Sequence, residues 1–111
     1  MQRVILRIEC SILLCVMTLT VPLSLHAESD AAEVFKAKCV LCHAADGSGS
    51  SPSGKALKAK DLRSDEVQKK SDAELTAIIT QGQGKMPAFG QKLKPGQIPE
   101  LVAYIRQLTA K

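Results

Sequence analysis

The most constraining feature of this chain is the five-residue segment from Cys39 to His43, which has the sequence Cys-Val-Leu-Cys-His. If the segment is helical, Phe35 and the two cysteines fall at i, i+4 and i+7 on one helix face. Both thiols can then reach the same flat ring and form thioethers with it. Two cysteines three apart, with a histidine directly after the second, are the attachment signature of c-type haem. We therefore predict one haem c, covalently attached through Cys39 and Cys42.

His43 lies directly beside the expected anchor points, so its imidazole is held next to the ring. Histidine is a frequent axial ligand of haem iron. We predict that His43 supplies the proximal nitrogen to the iron.

Three other uses of paired cysteines compete with haem attachment. A thioredoxin-like redox pair expects a βαβ context, but residues 30–38 favour a helix and no strand pattern precedes Cys39. A structural zinc site needs four ligands, whereas residues 28–111 offer only Cys39, Cys42 and His43 as soft or borderline ones. A disulfide between the two cysteines is open in an oxidising compartment, although a bridge that closes so small a loop stabilises a helix little. Haem attachment is the interpretation that we favour.

The first 27 residues have the composition of a secretory signal peptide. Arg3 and Arg7 precede an apolar run, and the segment ends in Leu25-His26-Ala27, so we expect cleavage after residue 27. An uncleaved membrane anchor is the alternative, but the charge-free run over residues 10–25 has 16 residues. That is shorter than the roughly 20 that span a bilayer, and Pro22 interrupts it. We expect an exported protein in the periplasm, or in the thylakoid lumen of a photosynthetic organism.

Residues 28–111 form one small domain of 84 residues. Its only aromatic residues are Phe35, Phe89 and Tyr104, so a core of its own would depend on aliphatic side chains. A covalently held macrocycle would supply much of the missing apolar interior, as disulfides or metals do in other small domains. The domain carries 13 basic and 10 acidic residues. Its lysines are dispersed and lack interleaved aromatic residues, so nucleic acid is not an expected partner.

The helical signals predict an all-α fold with three to five short helices wrapped around one haem. No segment shows the sustained alternation of a strand. The expected helices cover residues 31–41, 64–70 and 72–81, with a last helix that begins near Pro99 and allows a turn before it. Clusters of glycine, proline and serine predict loops over 45–54 and 81–94.

Capping residues define where these helices begin and end. Asp30 is expected to cap the first helix, and Ser64 the second, with negative charge in its first turn. Ser71 and Glu74 predict a capping box at the start of the 72–81 helix. Gly82 is expected to end that helix in a left-handed conformation.

Met86 is the expected sixth ligand of the iron. Once the leader is removed, His43 is the only histidine and Met86 the only methionine. Met86 lies in a non-periodic loop, and Pro87 stiffens the backbone beside it. A lone methionine more often fills a core, but beside a haem motif and without a rival we interpret it as a ligand. A thioether favours ferrous iron and fills the last coordination position, which indicates electron transfer rather than oxygen chemistry.

Three segments together resemble the class I cytochromes c, the small soluble single-haem carriers of bacterial and photosynthetic chains. These segments are the Cys39–His43 motif, the Met-Pro-Ala-Phe loop at Met86–Phe89 and the C-terminal Ala103–Arg106. The resemblance covers residues 30–108. It implies a cytochrome c fold in which the first and last helices cross at close quarters.

The resemblance also implies positions for particular residues. Ala31 and Phe35 of the first helix would lie against Leu101 and Tyr104 of the last. A proline in the loop after the haem motif would present its carbonyl to the proximal histidine and fix the orientation of the imidazole. Pro52 is the candidate for this role.

The function that we expect is electron transfer, not enzymatic catalysis. A monomer without a small-molecule substrate would carry one electron between larger redox proteins. Lysines near the exposed haem edge would steer an acidic partner; the candidates are Lys55, Lys58, Lys60 and Lys85. Two alternatives are open: a haem enzyme or gas sensor in which a ligand displaces Met86, and a membrane-tethered subunit of a larger complex that retains residues 1–27.

Overall fold

The computed structural model describes residues 24–110, with side chains over 30–109. Its helices are α1 (Ser24–Lys38), α2 (Val40–His43), α3 (Pro52–Leu57), α4 (Asp65–Gln68), α5 (Asp72–Gln81) and α6 (Gln97–Gln107), followed by a 3-10 turn at Leu108–Ala110. Within this range the only other regular feature is an isolated β-bridge between Gln83 and Met86. The all-α architecture expected from the sequence is therefore confirmed.

The predicted signal peptide lies almost entirely outside the described residues, so residues 1–27 and the cleavage site stay predictions. Between residues 24 and 110, none of the helices has both the length and the apolar character that crossing a bilayer requires.

Helices α1 and α6 pack against each other. Phe35 and Leu101 are each only 2% exposed, and Ala31 is 3% exposed. The ring centroids of Phe35 and Tyr104 lie 5.1 Å apart, with the ring planes at 48°. Aromatic pairs prefer offset or tilted arrangements at such distances over a face-to-face stack. The helix crossing implied by the family resemblance is confirmed.

One apolar cluster connects this helix pair to α4 and α5. Its buried members are Phe35, Leu62, Val67, Leu75, Ile79, Leu101, Val102, Ile105 and Leu108. Partly buried side chains that pack against the cluster include Cys39, Met86 and Phe89. The hydrophobic core and the residues singled out by the sequence motifs therefore share one interior.

The helix caps of α4 and α5 form as predicted. The Ser71 hydroxyl accepts a hydrogen bond from the Glu74 N–H at 3.1 Å, and the Glu74 carboxylate accepts one from the Ser71 N–H at 2.6 Å. The Ser64 hydroxyl accepts from the Val67 N–H at the start of α4. Each cap depends on residues three apart, so the local sequence determines it.

The end of α5 differs from the prediction. Gly82 has a φ of 75°, but its ψ is 169°, so the expected left-handed conformation was wrong. The chain leaves the helix extended at this point because residues 83–86 then turn back through the Gln83–Met86 bridge.

The first helix also differs from its prediction at both ends. Helix α1 begins at Ser24, so Asp30 lies inside it and is not its cap. No glycine or proline over residues 24–30 interrupts the helix. The predicted continuous helix over 31–41 is broken at Cys39, where a turn separates α1 from α2.

Pro52 and Pro99 lie in the first turns of helices whose starts differ from the predicted ones. Pro52 opens α3 inside the predicted 45–54 loop, because Ser51 caps the helix and the first helical position does not need an N–H. Helix α6 begins at Gln97, two residues before Pro99. The N–H groups of a first helical turn have no intrahelical partner, so Pro99 costs no hydrogen bond there.

Candidate functional site

A cavity of about 670 Å³ lies between the motif segment, α5, α6 and the loop after α5. Four predicted site residues line it together: Cys39, Cys42, His43 and Met86. The rest of the wall is mainly apolar and includes Phe35, Leu62, Val67, Leu75, Ile78, Ile79, Phe89, Leu93, Leu101 and Ile105. Cofactor and small-molecule sites span roughly 300–1,000 Å³, so the cavity has a suitable size for a prosthetic group.

The two cysteines lie where α1 ends and α2 begins. The Cys39 N–H donates to the Phe35 carbonyl at 2.8 Å, and the His43 N–H donates to the Cys39 carbonyl at 2.9 Å. The two cysteines are partly buried and are not joined in a disulfide. As long as Cys39 is a thiol, burial, with a smaller contribution from Cys42, raises its pKa to about 11. In that form Cys39 is protonated near neutral pH and is not activated as a thiolate, unlike the nucleophile of a thioredoxin-like pair.

A structural zinc site needs several ligands around one point. Among the side chains that the structure describes, residues 30–109, no three of His, Cys, Asp or Glu converge in this way. The nitrogen and sulfur atoms of the cavity suit a prosthetic group better than an isolated zinc ion.

The His43 imidazole is held by a backbone carbonyl. Its Nδ1 atom lies 3.0 Å from the carbonyl oxygen of Lys60. A carbonyl can only accept, so Nδ1 is the donor, and Nε2 is the ring nitrogen that faces away from this bond and can bind a metal. The expected partner, the carbonyl of Pro52, was wrong. Pro52 is the first residue of α3, where carbonyl groups accept hydrogen bonds within the helix.

The segment over residues 47–62 positions the Lys60 carbonyl. The Gly49 N–H donates to the His43 carbonyl at 2.8 Å, and the Ala59 N–H donates to the Gly54 carbonyl at 2.8 Å. A Cβ at Gly54 would overlap the Cys42 carbonyl oxygen, so only glycine allows α3 to lie this close to α2. The sequence did not predict the role of the Lys60 backbone carbonyl or that of Gly54. The Ser51-Pro52 pair, a typical helix start, was the one local signal for α3.

The loop after α5 carries Met86 into the cavity wall. The Gln83 N–H donates to the Met86 carbonyl at 3.1 Å, and the Met86 N–H donates to the Gln83 carbonyl at 2.9 Å. Further along, the Phe89 N–H donates to the Ile79 carbonyl at 2.9 Å. The predicted irregular loop is thus a turn anchored to the last residues of α5.

Apolar and basic side chains surround the mouth of the cavity. Leu41 and Leu57 line it and are 74% and 41% exposed. Of the four lysines expected near the exposed haem edge, Lys58, Lys60 and Lys85 line the cavity and Lys55 does not. The Lys60 ammonium lies 2.8 Å from a Glu66 carboxylate oxygen, which partly neutralises its charge.

The residues of this cavity fit a haem. Two cysteine thiols stand beside an imidazole, a thioether lies elsewhere on the same wall, and aliphatic side chains cover much of the remaining surface. One imidazole and one thioether form a typical axial ligand pair for haem iron. The apolar wall suits the faces of a flat macrocycle.

Comparison with known proteins agrees with the resemblance to c-type cytochromes. Residues 26–105 match the family model described as cytochrome C oxidase, cbb3-type, subunit III. The cytochrome c6 of Picosynechococcus sp. is 32% identical over 109 residues, which cover 94% of this chain and 92% of that protein. The cytochrome c6 of Aphanizomenon flos-aquae is 38% identical over 77 residues, 67% of this chain and 82% of that protein. A cytochrome c6-like protein of Nostoc sp. is 27% identical over 111 residues, 100% of this chain and 97% of its own length.

Proposed function

Because the chain belongs to the c-type cytochrome family and is an electron carrier rather than an enzyme, we propose that it carries its electron on haem iron held between His43 and Met86. One haem c is attached covalently through Cys39 and Cys42. When bound, the haem supplies reversible one-electron exchange between ferrous and ferric iron. The observation that carries the proposal is that these four residues line one cavity.

His43 provides a preorganised nitrogen ligand. The Lys60 carbonyl accepts from Nδ1 at 3.0 Å, so the ring is held in one orientation and Nε2 is left as the nitrogen for the iron. Hydrogen bonds of this kind fix the tautomer and raise the basicity of a metal-bound imidazole. His43 would therefore bind the iron without a rotation of its ring.

Met86 provides a soft, neutral ligand that favours ferrous iron and raises the reduction potential. A coordinated thioether also fills the position that dioxygen or peroxide would need. This ligand set supports electron transfer and gives no support to a haem enzyme or gas sensor.

The reduction potential tests the role of Met86. We expect Met86→Leu to retain covalent haem and to lower the midpoint potential strongly, because leucine preserves the volume but offers no sulfur. Leu93→Ala is the matched control, since Leu93 lines the same cavity without a ligand atom. Equal potentials in Met86→Leu and the unmodified protein would contradict the proposal.

The redox partners that we propose are proteins with an acidic docking surface. Leu41 and Leu57 give the mouth of the cavity an exposed apolar surface, and Lys58 and Lys85 line the same cavity. An apolar centre with charged residues at its edge suits brief contacts that are steered electrostatically. Lys60 contributes less because of its ion pair with Glu66.

Electron-transfer kinetics test this docking surface. With an acidic redox protein as partner, the rate should fall as salt rises, because salt screens exposed charges. Lys58→Gln and Lys85→Gln should weaken that dependence, whereas Lys36→Gln, which changes the same charge outside the cavity lining, should not. A rate that does not respond to salt would eliminate steering by these lysines.

We also propose that the protein is exported, with residues 1–27 as a cleaved leader. The arginines, apolar run and terminal Ala27 of that segment support this proposal. The intact mass of the protein from its native host would report cleavage and haem addition together. A mass that includes residues 1–27 would support a tethered subunit instead.

A further inference from the structure

We infer that Gly82 and Gly90 are positioning residues for the Met86 sulfur, because they let the loop that carries Met86 lie directly against the C-terminal end of α5. This inference rests on the proposed function, in which Met86 is an iron ligand. Neither glycine lines the cavity. Both act through the backbone of the loop.

Gly82 is the residue at which α5 ends and the Met86 loop begins. Its φ of 75° and ψ of 169° belong to a region that is essentially restricted to glycine. A Cβ at this position would lie 2.6 Å from the Met86 carbonyl oxygen and 2.9 Å from the Ala88 nitrogen. These neighbours are backbone atoms and cannot rotate away. A side chain at residue 82 would therefore push the Met86 backbone away from α5.

Gly90 closes the other end of the same loop. A Cβ there would lie 2.8 Å from Thr80 Cγ2 and 3.0 Å from the Thr80 carbonyl oxygen. Gly90 does not have a positive φ, so the constraint at this position is steric and not conformational. The two glycines thus limit the loop at both ends by different physical means.

Backbone hydrogen bonds hold the loop in this close position. The Phe89 N–H donates to the Ile79 carbonyl at 2.9 Å, and the Gly90 N–H donates to the Thr80 carbonyl at 3.1 Å. Ile79 also lines the cavity, so the end of α5 forms the cavity wall and the support of the loop at once. Functional geometry must hold to about 0.5 Å, so a loop displaced by a methyl group would lose the position of its sulfur.

Gly84 provides an internal comparison within the same loop. Its φ is also positive, at 57°, but no atom lies within 4 Å of a Cβ built there. Gly84→Ala would strain the backbone conformation but would not place its Cβ against another atom. A comparison of substitutions at residue 84 with those at residues 82 and 90 therefore distinguishes a steric clash from general strain of the loop backbone.

The test compares Gly82→Ala, Gly90→Ala and Gly84→Ala in the haem-loaded protein. We expect all three to keep the covalent haem. Gly82→Ala and Gly90→Ala should lose most of the ferric absorption band of sulfur ligation, show a lower midpoint potential and let carbon monoxide bind the reduced form promptly. Gly84→Ala should keep all three properties. Adding Thr80→Ser to Gly90→Ala removes the nearest clashing atom and should restore part of the band.

Two results would overturn the inference. One is an intact band and potential in both Gly82→Ala and Gly90→Ala, even if these variants are less stable. The other is an equal loss in Gly84→Ala, which would indicate general loop strain. If Gly82→Ala does not fold, Gly90→Ala decides alone. An unmodified protein without the band would instead refute iron ligation by Met86, so the two failures are distinguishable.

Discussion

At the scale of single residues, the backbone carbonyl of Lys60 orients the proposed nitrogen ligand, and the Lys60 side chain takes no part in that contact. The His43 Nδ1 atom bonds to the carbonyl oxygen, whereas the ammonium group pairs with Glu66. Replacement of the side chain should therefore leave the imidazole in place. The contribution of the exposed ion pair to stability is small.

This separation gives a prediction for Lys60→Gln. We expect its midpoint potential to shift no more than that of Lys58→Gln, which removes the same charge from the cavity lining. The shift in both variants would reflect lost positive charge alone. Protein-film voltammetry would measure both potentials. A distinctly larger shift in Lys60→Gln would mean that the side chain itself supports His43.

The sequence is enough to propose the ligand residues but not the groups that support them. Cys39, Cys42 and His43 are adjacent, and Met86 is the only methionine of residues 28–111, so their types and spacing are enough to propose them. The acceptor of the His43 hydrogen bond is a carbonyl 17 residues away, and every residue has a carbonyl. No local pattern distinguishes Lys60 from Pro52 in this role.

At the scale of helices, short-range rules determine α4 and α5, while α1, α3 and α6 have boundaries that depend on their surroundings. The capping box of α5 needs only Ser71 and Glu74. The start of α3 depends in part on its contact with α2, because the Ser51 hydroxyl donates to the Leu41 carbonyl at 2.7 Å. Such contacts between distant segments are not visible in a local pattern.

The α5 cap makes a stability prediction. Ser71→Ala should lower the free energy of unfolding by about 1 kcal/mol, the usual cost of losing an N-cap side chain. Ser71→Thr should retain most of the stability, because threonine also caps helices. Denaturant unfolding of the haem-loaded protein would measure both. Equal losses in the two variants would show that the hydroxyl is not the stabilising group.

The α1–α6 crossing makes a second stability prediction. Phe35→Ala should cost about 3–5 kcal/mol, as expected for a fully buried aromatic side chain. Tyr104→Phe keeps the ring that packs 5.1 Å from Phe35 and should change stability by no more than about 0.5 kcal/mol. Thermal or denaturant unfolding would compare them. A small loss in Phe35→Ala would contradict the view that this crossing stabilises the fold.

At the scale of the whole molecule, the core and the functional site are one structure. The cavity of about 670 Å³ borders the buried cluster that joins α1, α5 and α6. A domain of this size buries little apolar surface by itself. The small number of aromatic residues in the sequence predicts an interior built around a cofactor. Which side chains line that interior depends on how the helices pack, and composition does not reveal this.

Surface carboxylates determine how stability responds to acid. The Arg63 side chain and N–H donate to Asp61 and hold its pKa below the ordinary value of 3.8. The pKa values of Asp46, Glu66 and Glu74 are also lowered, mainly by hydrogen bonds from Ser48, Lys60 and Ser71. A pKa lowered in the folded state stabilises the fold above the unfolded pKa. That contribution is lost as the pH falls through the folded pKa.

We therefore expect stability to be constant near neutral pH and to decrease below about pH 4. The decrease should weaken in high salt, because these groups are exposed and screened. Unfolding midpoints of the unmodified protein and Asp61→Asn would show it, with a shallower acid dependence in the variant. A midpoint that rises on acidification would contradict the assigned direction of the pKa shifts.

The most direct test of iron ligation by Met86 is the proton NMR spectrum of the reduced, haem-loaded protein. A methionine whose sulfur binds haem iron has its methyl group in the ring current of the macrocycle, which shifts that resonance far upfield. We predict one such three-proton resonance, assigned to Met86 and absent in Met86→Leu. A reduced protein without it, or one in which it persists in Met86→Leu, would contradict iron held between His43 and Met86.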